Sequence, residues 1–230
     1  MNALEMIYQF ELLLDTLDAT VQKPKTADTL DWINLAQSAL FGEAYKVMDF
    51  NEEAKKLLNP FQVVDHVIDT FNPITDISFP NTVTVELPEN LKYITREALK
   101  VNVDMFGRLD PSKLKQSVRD VRPITADFYN ANKRNPLRNP NYNVSWRLDL
   151  DKIKDMPLIG LSHMLIMGEG VIPIEYYVSY LMSLPKLTED ELSTSLFPDW
   201  FHDNIVKRAV SDFMLFRGSQ REPVKTEKQA

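Results

Sequence analysis

The sequence contains no cysteine among its 230 residues. The absence of thiols excludes disulfides, thiolate metal sites and a cysteine nucleophile. It is compatible with synthesis in an intracellular compartment, although many secreted bacterial proteins also lack cysteine.

Glycine and long apolar segments are also scarce. Six glycines stand against fourteen prolines, so the backbone has few freely rotating points and many fixed ones. No apolar run approaches the roughly 18 residues that cross a bilayer. The opening MNALEMIYQFELLLDTLD has no basic segment before its apolar residues, unlike a secretory signal peptide. We therefore expect a soluble protein without a standard export signal or membrane partner.

Positive charge is in deficit. The 26 Lys and Arg residues are outnumbered by 33 Asp and Glu, which gives a net charge of −7. A protein that binds nucleic acid over a large area needs a positively charged surface. An acidic protein surface would instead repel the phosphate groups of DNA. DNA could then slide past the surface without binding to it.

Patterns for catalysis or metal binding are missing as well. The histidines are His66, His163 and His202, and none lies in the His-Glu-x-x-His spacing of metalloproteases. There is no Gly-x-Ser-x-Gly turn, and Gly168-Glu169-Gly170 lacks the third glycine of a phosphate-binding loop. We predict no catalytic, metal or cofactor site. A hydrolase with a dispersed site that uses His163 and His202 is the alternative.

Helical periodicity appears at both ends of the chain. Apolar residues recur every three or four positions in segments 3–19, 26–44 and 51–68, and again after Pro198, as in amphipathic helices. Pro60 is expected to kink or interrupt the third helix and Pro73 to end it. The apolar face of that helix would comprise Leu57, Phe61, Val64 and Ile68.

In the middle of the chain the apolar period becomes two, which is typical of half-buried strands. The pattern predicts strands in 77–87, 118–124, 142–150, 158–167 and 171–182, and a further one within 92–106. The last three predicted strands in chain order would form an antiparallel meander with a turn at 168–170. Thr125 is expected to cap a short helix, and the composition of Asn130 to Pro140 predicts a loop.

This order of elements predicts an α+β fold. We expect the N-terminal helices and the C-terminal helix to pack together as one module, 1–73 with 195–216. A central antiparallel β-sheet or sandwich, 74–187, would be inserted between them. The polar segment 217–230 should be extended unless a partner orders it.

Candidate partner-binding residues lie in the loop and in the last strand. The loop supplies a basic cluster and prolines that stiffen it, and stiff loops lose less entropy on binding. Its candidates are Lys133, Arg134, Asn135, Pro136 and Arg138. In the strand, Glu175 beside Tyr176 either faces solvent or makes a specific contact. The alternative interpretation of the loop is a solvated segment.

Four segments, taken in order, carry a resemblance to a known family. LEMIYQFELLLDTLDA and WINLAQSALFGEAYKV resemble its first two helices, although Ala44 stands where the family often has arginine. VELPENLKY is similar to a strand end of the family, and DFYNANKRNPLRNPNYNVSWRL has its order of Asn-Pro, basic residue and proline. In the fourth segment, PDWFHDNIVKRAV, His202 occupies the family's histidine position.

The family is that of the ring, or head-to-tail connector, proteins of crAss-like tailed phages that infect Bacteroides. The resemblance implies a non-enzymatic virion protein that forms a dodecameric ring in the neck, assembled in the host cytoplasm. DNA would pass through the lumen during ejection. Implied partners are copies of itself, the portal and neighbouring neck or tail ring proteins. His202 would pack or hydrogen-bond at the start of the last helix.

An intracellular adaptor module without catalytic activity is the second functional hypothesis. It predicts a monomer or dimer, whereas a ring protein forms a large closed assembly.

Overall fold

The chain divides into two compact units in a computed structural model. The structure describes residues 1–18, 20–74, 81–103, 115–133, 135, 140, 144–149, 162–190 and 192–221. Unit 1 comprises Met1–Phe61 and Leu184–Ala230, and unit 2 comprises Gln62–Ser183.

The helices of the described residues are α1 Ala3–Leu17, α2 Thr26–Val47, α3 Glu52–Leu58, α4 Ala126–Asn132 and α5 His202–Arg221. A 3-10 turn follows α3 at Asn59–Phe61, and another precedes α5 at Asp199–Phe201. Side-chain caps fix three of the starts, since Asn2, Asn51 and Thr125 each accept a hydrogen bond from a first-turn amide. No helix of the described residues combines the length and apolar character needed to cross a membrane.

Unit 1 is built on α5. Helices α1 and α2 both pack against it, and its Ile205, Val206 and Ala209 are fully buried. Phe10 of α1 meets Phe213 of α5 edge-to-face at 5.8 Å. The predicted packing of the N-terminal helices on the C-terminal helix is thus confirmed.

The third helix is shorter than predicted. It ends at Leu58, and Pro60 lies in the 3-10 turn that stops it. Val64 and Ile68 belong to a strand. The helix-like spacing was misleading because this strand carries a bulge, with Asp65 in the left-handed region at φ 48°. A bulge inserts an extra residue and breaks the period of two.

Unit 2 is a single mixed sheet with α4 beside it. Its strands are β1 Gln62–Ile68, β2 Asn72–Pro73, β3 Thr82–Glu86, β4 Leu91–Val103, β5 Lys115–Pro123, β6 Val144–Asp149, β7 Ser162–Ile166 and β8 Val171–Met182. The order across the sheet is β1-β8-β4-β5-β6-β7-β3-β2. This arrangement confirms the α+β class with the sheet in the middle of the chain.

One pair of strands corrects the expectation of a purely antiparallel sheet. β5 and β6 run parallel. Parallel neighbours need a crossover connection, and the segment that contains α4 supplies it. Phe128 and Tyr129 of this helix pack edge-on against Trp146 of β6 at 5.6 and 6.4 Å.

The predicted meander is correct for β6 and β7, which pair antiparallel, and wrong for β7 and β8. β7 lies between β6 and β3, while β8 lies between β4 and β1. The turn at 168–170 is present, with Gly170 at φ 74°, but it does not close a hairpin.

The short link from β7 to β8 requires the sheet to curl. Three strands separate the two in the sheet order, so a flat sheet would place them about 19 Å apart. Even fully extended, the five-residue link from Ile166 to Val171 would reach only about 17–18 Å, and it contains a turn. Curling brings β7 opposite β8 and encloses an apolar core that includes Leu99, Val101, Leu165, Tyr176 and Val178.

Candidate functional site

A polar cluster lies within the otherwise apolar interior of unit 2. Glu97 of β4, Arg147 of β6 and His163 of β7 have side chains that are 7, 12 and 5% exposed, and Tyr176 of β8 is fully buried. Arg147 Nη1 donates to Glu97 Oε1 at 3.0 Å, and the Tyr176 hydroxyl donates to the same oxygen. The cluster therefore ties four strands together across the curled sheet.

Burial sets the charge states of this cluster. It lowers the pKa of His163 to about 3, with a further contribution from the Arg147 charge, so the imidazole is neutral at neutral pH. Burial, followed by the nearby Glu97 carboxylate, raises the pKa of Tyr176. Burial also raises the pKa of Glu97, against the opposing effects of Tyr176 and Arg147.

The His163 ring lies between Tyr176 and Asp149. Its Nδ1 lies 3.0 Å from the Tyr176 oxygen. With the tyrosine proton donated to Glu97, the tyrosine oxygen can accept a hydrogen bond from Nδ1. Nε2 then faces Asp149, whose Oδ1 is 3.6 Å away.

A cavity of about 300 Å³ adjoins the cluster and is lined by Arg147, Asp149, Ser162 and His163 together with apolar residues of β4. Ser162 Oγ is buried and has no hydrogen-bond partner within the described part of the chain. It is not bonded to His163, so the pair does not form the nucleophile–base contact of a hydrolase. In the described residues, no three His, Asp or Glu side chains group as metal ligands.

The predicted strand residues Glu175 and Tyr176 point to opposite faces of β8, as successive strand residues do. Glu175 lies on the outer face, where both carboxylate oxygens are 3.0 Å from Lys100 Nζ and Tyr177 donates its hydroxyl proton. The Tyr177 bond and then Lys100 lower the pKa of Glu175. Glu175 thus makes a specific contact and stays partly exposed, while Tyr176 is an interior residue.

The basic loop begins at the end of α4. Exposed Lys133 reaches Asn130 Oδ1 at 3.3 Å and lies over the Tyr129 ring at 5.6 Å. The backbone amide of Asn135 donates to the Asn132 carbonyl. The predicted loop is therefore helical up to Asn132. The other predicted loop residues, Arg134, Pro136 and Arg138, lie outside the described residues.

His202 opens α5 and is 1% exposed. Its Nδ1 lies 3.0 Å from the Met1 amino nitrogen and 3.5 Å from the Asp199 carboxylate. Burial, and after it the positive charge of the Met1 amino group, lowers the pKa of His202. The Phe197 carbonyl and the nearby carboxylates Asp199 and Asp203 act in the opposite direction. A neutral ring that accepts from the amino group fits this environment.

Asn34 and Gln37 of α2, the helix whose sequence resembles the family's second helix, also stabilise unit 1. Asn34 accepts from the Leu187 amide at 2.9 Å and donates to the Leu187 carbonyl at 3.1 Å. Gln37 accepts from Ser195 at 2.8 Å. Both side chains thereby fasten the segment before α5 to α2.

Sequence reasoning missed Glu97 and Arg147. Arg147 alternates with Trp146 and Leu148 in a strand whose pattern predicts one wet face. The curled sheet encloses the part of β6 that carries Arg147, whose side chain is 12% exposed, and α4 packs against the opposite face of the strand. The signal that could have identified the site was the charge of Arg147 within a strongly apolar strand.

The sequence matches the model of a family described as phage tail ring protein 3/4, of the crAss type, over residues 36–211. This span is more than half of the chain and includes all of unit 2, α3 and most of α2. No curated protein matches the sequence.

Proposed function

The chain belongs to the phage tail ring protein 3/4 family, and from this membership we propose that its copies form a ring in the neck of the virion. The resemblance to crAss-like phage ring proteins is confirmed by the family match, which is the observation that carries the proposal. In this role the ring connects the head to the tail. Portal and neighbouring neck or tail ring proteins are its partners, and a dodecamer is its stoichiometry.

The surface of unit 1 supports assembly. Several large apolar side chains of unit 1 are exposed, with Tyr8 at 68%, Phe50 at 93%, Leu192 at 86% and Trp200 at 59%. Such side chains mark protein interfaces when they recur on one surface. A ring needs two different complementary patches on every copy, because only a heterologous contact repeats around an axis and closes.

The charge of the chain supports passage of DNA through the ring. A net charge of −7 gives a wall that repels phosphate and so lets the genome move without adhesion during ejection. Assembly takes place in the host cytoplasm.

Contacts to neighbours are proposed at the accessible candidates. Lys133, at the start of the basic loop, and Glu175, on the outer face of β8, can both reach a partner. We assign Tyr176 and His202 a supporting role, since each is buried and positions the strand or helix that carries it.

Purified particles test the proposal. Quantitative mass spectrometry of heads with tails attached should show the protein in many copies, equal from one preparation to the next. Finding it in infected-cell cytosol and never in particles would contradict the proposal. The size of the purified chain separates a ring from an adaptor, which would stay a monomer or dimer.

A further inference from the structure

We propose that the β-bulge at Asp65 protects the free edge of the sheet from pairing with another copy of the chain. The bulge keeps strand β1 of one copy from adding to β1 of a second copy. The inference concerns unit 2 alone and does not depend on the proposed ring, although copies held side by side in a ring would have the greatest need of such protection.

The sheet has two edge strands in the described part of the chain, β1 and β2. β2 is only two residues long, and its Pro73 has no amide proton to donate, so it offers little to a further strand. β1 is seven residues long and pairs with β8 on one side only. Its Val64 and Val67 are 64 and 50% exposed. An exposed edge strand with apolar side chains is a template for pairing between copies unless something blocks it.

The bulge interrupts β1 in its middle. The register on its two sides is given by two pairs, Val63 with Tyr180 and His66 with Val178. Between these pairs two residues of β1 oppose only Ser179 of β8. An extra residue of this kind bends the strand and disrupts the regular row of backbone amide and carbonyl groups. A strand from another copy therefore finds no continuous row of partners along β1.

Asp65 and Ser179 hold the bulge in place. The φ of Asp65 is 48°, in the left-handed region that costs L-residues free energy and that aspartate tolerates better than most. Its amide donates to Ser179 Oγ at 3.0 Å, and its carboxylate accepts from the same hydroxyl at 3.2 Å. Ser179 is 4% exposed, so water competes little for these bonds. A strained residue persists only where its surroundings fix it, which points to a role for the bulge.

Deletion of Asp65 isolates the contribution of the bulge. One residue of β1 would then oppose one residue of β8 along the whole strand, and the pairs on both sides would keep their partners. Val63 and Ile68 both pack against the interior of unit 2, although they are five positions apart. After the deletion they would be four positions apart, and residues an even number apart share a face of a regular strand. The variant should therefore fold with a regular edge strand.

The deletion variant should associate through that edge. It should retain cooperative urea unfolding at low protein concentration, because every remaining pair keeps its register. In sedimentation velocity it should form species larger than any that the wild type forms at the same concentration. Hydrogen exchange of the amides in segment 62–68 should slow at least about tenfold as these species form, because outward amides gain backbone partners.

Two further variants serve as controls. Asp65→Gly is the matched control, since glycine adopts a positive φ without strain and the extra residue remains. It should sediment as the wild type does. Val67→Lys, added to the deletion variant, should restore wild-type sedimentation because a charged edge strand opposes pairing between copies.

Wild-type sedimentation of the deletion variant would overturn the inference, and so would loss of its cooperative unfolding, since the register predicts a folded variant. Association of Asp65→Gly equal to that of the deletion variant would assign the protection to the carboxylate and overturn the role of the bulge. Association that persists after Val67→Lys would place the contact away from β1, with the same consequence. None of these results bears on the ring proposal, which intact particles test.

Discussion

Tyr176 and Tyr177 are neighbours on β8 whose hydroxyl groups meet opposite environments. The Tyr176 hydroxyl is buried between Glu97 and His163, and the Tyr177 hydroxyl reaches Glu175 on the outer face. A buried polar group left without its partner costs far more than an exposed one, because water cannot replace the lost bond. The pair therefore offers a controlled comparison of the interior network with the surface.

Tyr176→Phe should lower the free energy of unfolding by about 1–3 kcal/mol, since Glu97 and His163 both lose a buried partner. Tyr177→Phe, the control, should cost less than about 1 kcal/mol because its partner Glu175 is accessible to water. Urea unfolding of both variants measures the difference. Equal losses in the two variants would show that the interior network does not stabilise unit 2.

His163 should make unit 2 less stable in acid. Its pKa is about 3 in the folded protein and near 6.5 in the unfolded chain. Between these two pH values the unfolded chain binds a proton on His163 and the folded chain does not. The stability that depends on neutral His163 is complete above pH 6.5 and is lost as the pH falls towards 3. At pH 4.5 the loss is about 3 kcal/mol.

His163→Gln is the control for this pH effect, because glutamine can donate to Tyr176 without titrating. The groups around the ring are Glu97, Arg147, Asp149 and Tyr176. Burial raises the pKa of Glu97, so its protonation acts in the opposite direction and is present in both proteins. Denaturation from pH 7 to 4 should therefore be flatter in the variant. Parallel curves would contradict a neutral, buried His163.

At the scale of elements, α5 depends on its first residue. His202 is buried at the helix start and joins Met1 and Asp199 to it. His202→Ala should lower unfolding free energy by about 1–3 kcal/mol through lost packing and hydrogen bonding. His66→Ala, on the exposed edge strand β1, should change it by less than about 1 kcal/mol. Thermal unfolding compares the two, and an unchanged midpoint for His202→Ala would refute the supporting role.

Elements were predictable where one periodicity dominated. Strands β6 and β8, the cap at Thr125 and helices α1, α2 and α5 followed from spacing and capping alone. The third helix was extended too far because the bulge at Asp65 disguised β1. The pairing of β8 with β4 and β1 could not be predicted, since sequence neighbours β7 and β8 also fit a hairpin and only the curl of the sheet decides between them.

The site residues were harder to predict than the elements. Glu97, Arg147, His163 and Tyr176 are scattered along the chain and meet only because the sheet curls. His202 was singled out through resemblance to the family, and the structure places it in the buried start of α5.

At the scale of the whole molecule, the two units differ in where their notable side chains lie. Unit 2 encloses one polar cluster, Glu97, Arg147, His163 and Tyr176, which joins four strands of its curled sheet. Unit 1 has exposed apolar side chains, among them Tyr8 and Trp200. A ring protein needs both a rigid body and surfaces that repeat around an axis.

The central claim is that copies of this chain form a closed ring in the neck of the virion. Electron cryomicroscopy of purified particles at side-chain resolution tests it most directly. The account predicts a ring of identical copies of this chain between portal and tail. Particles whose neck and tail contain no density that fits this chain would contradict it.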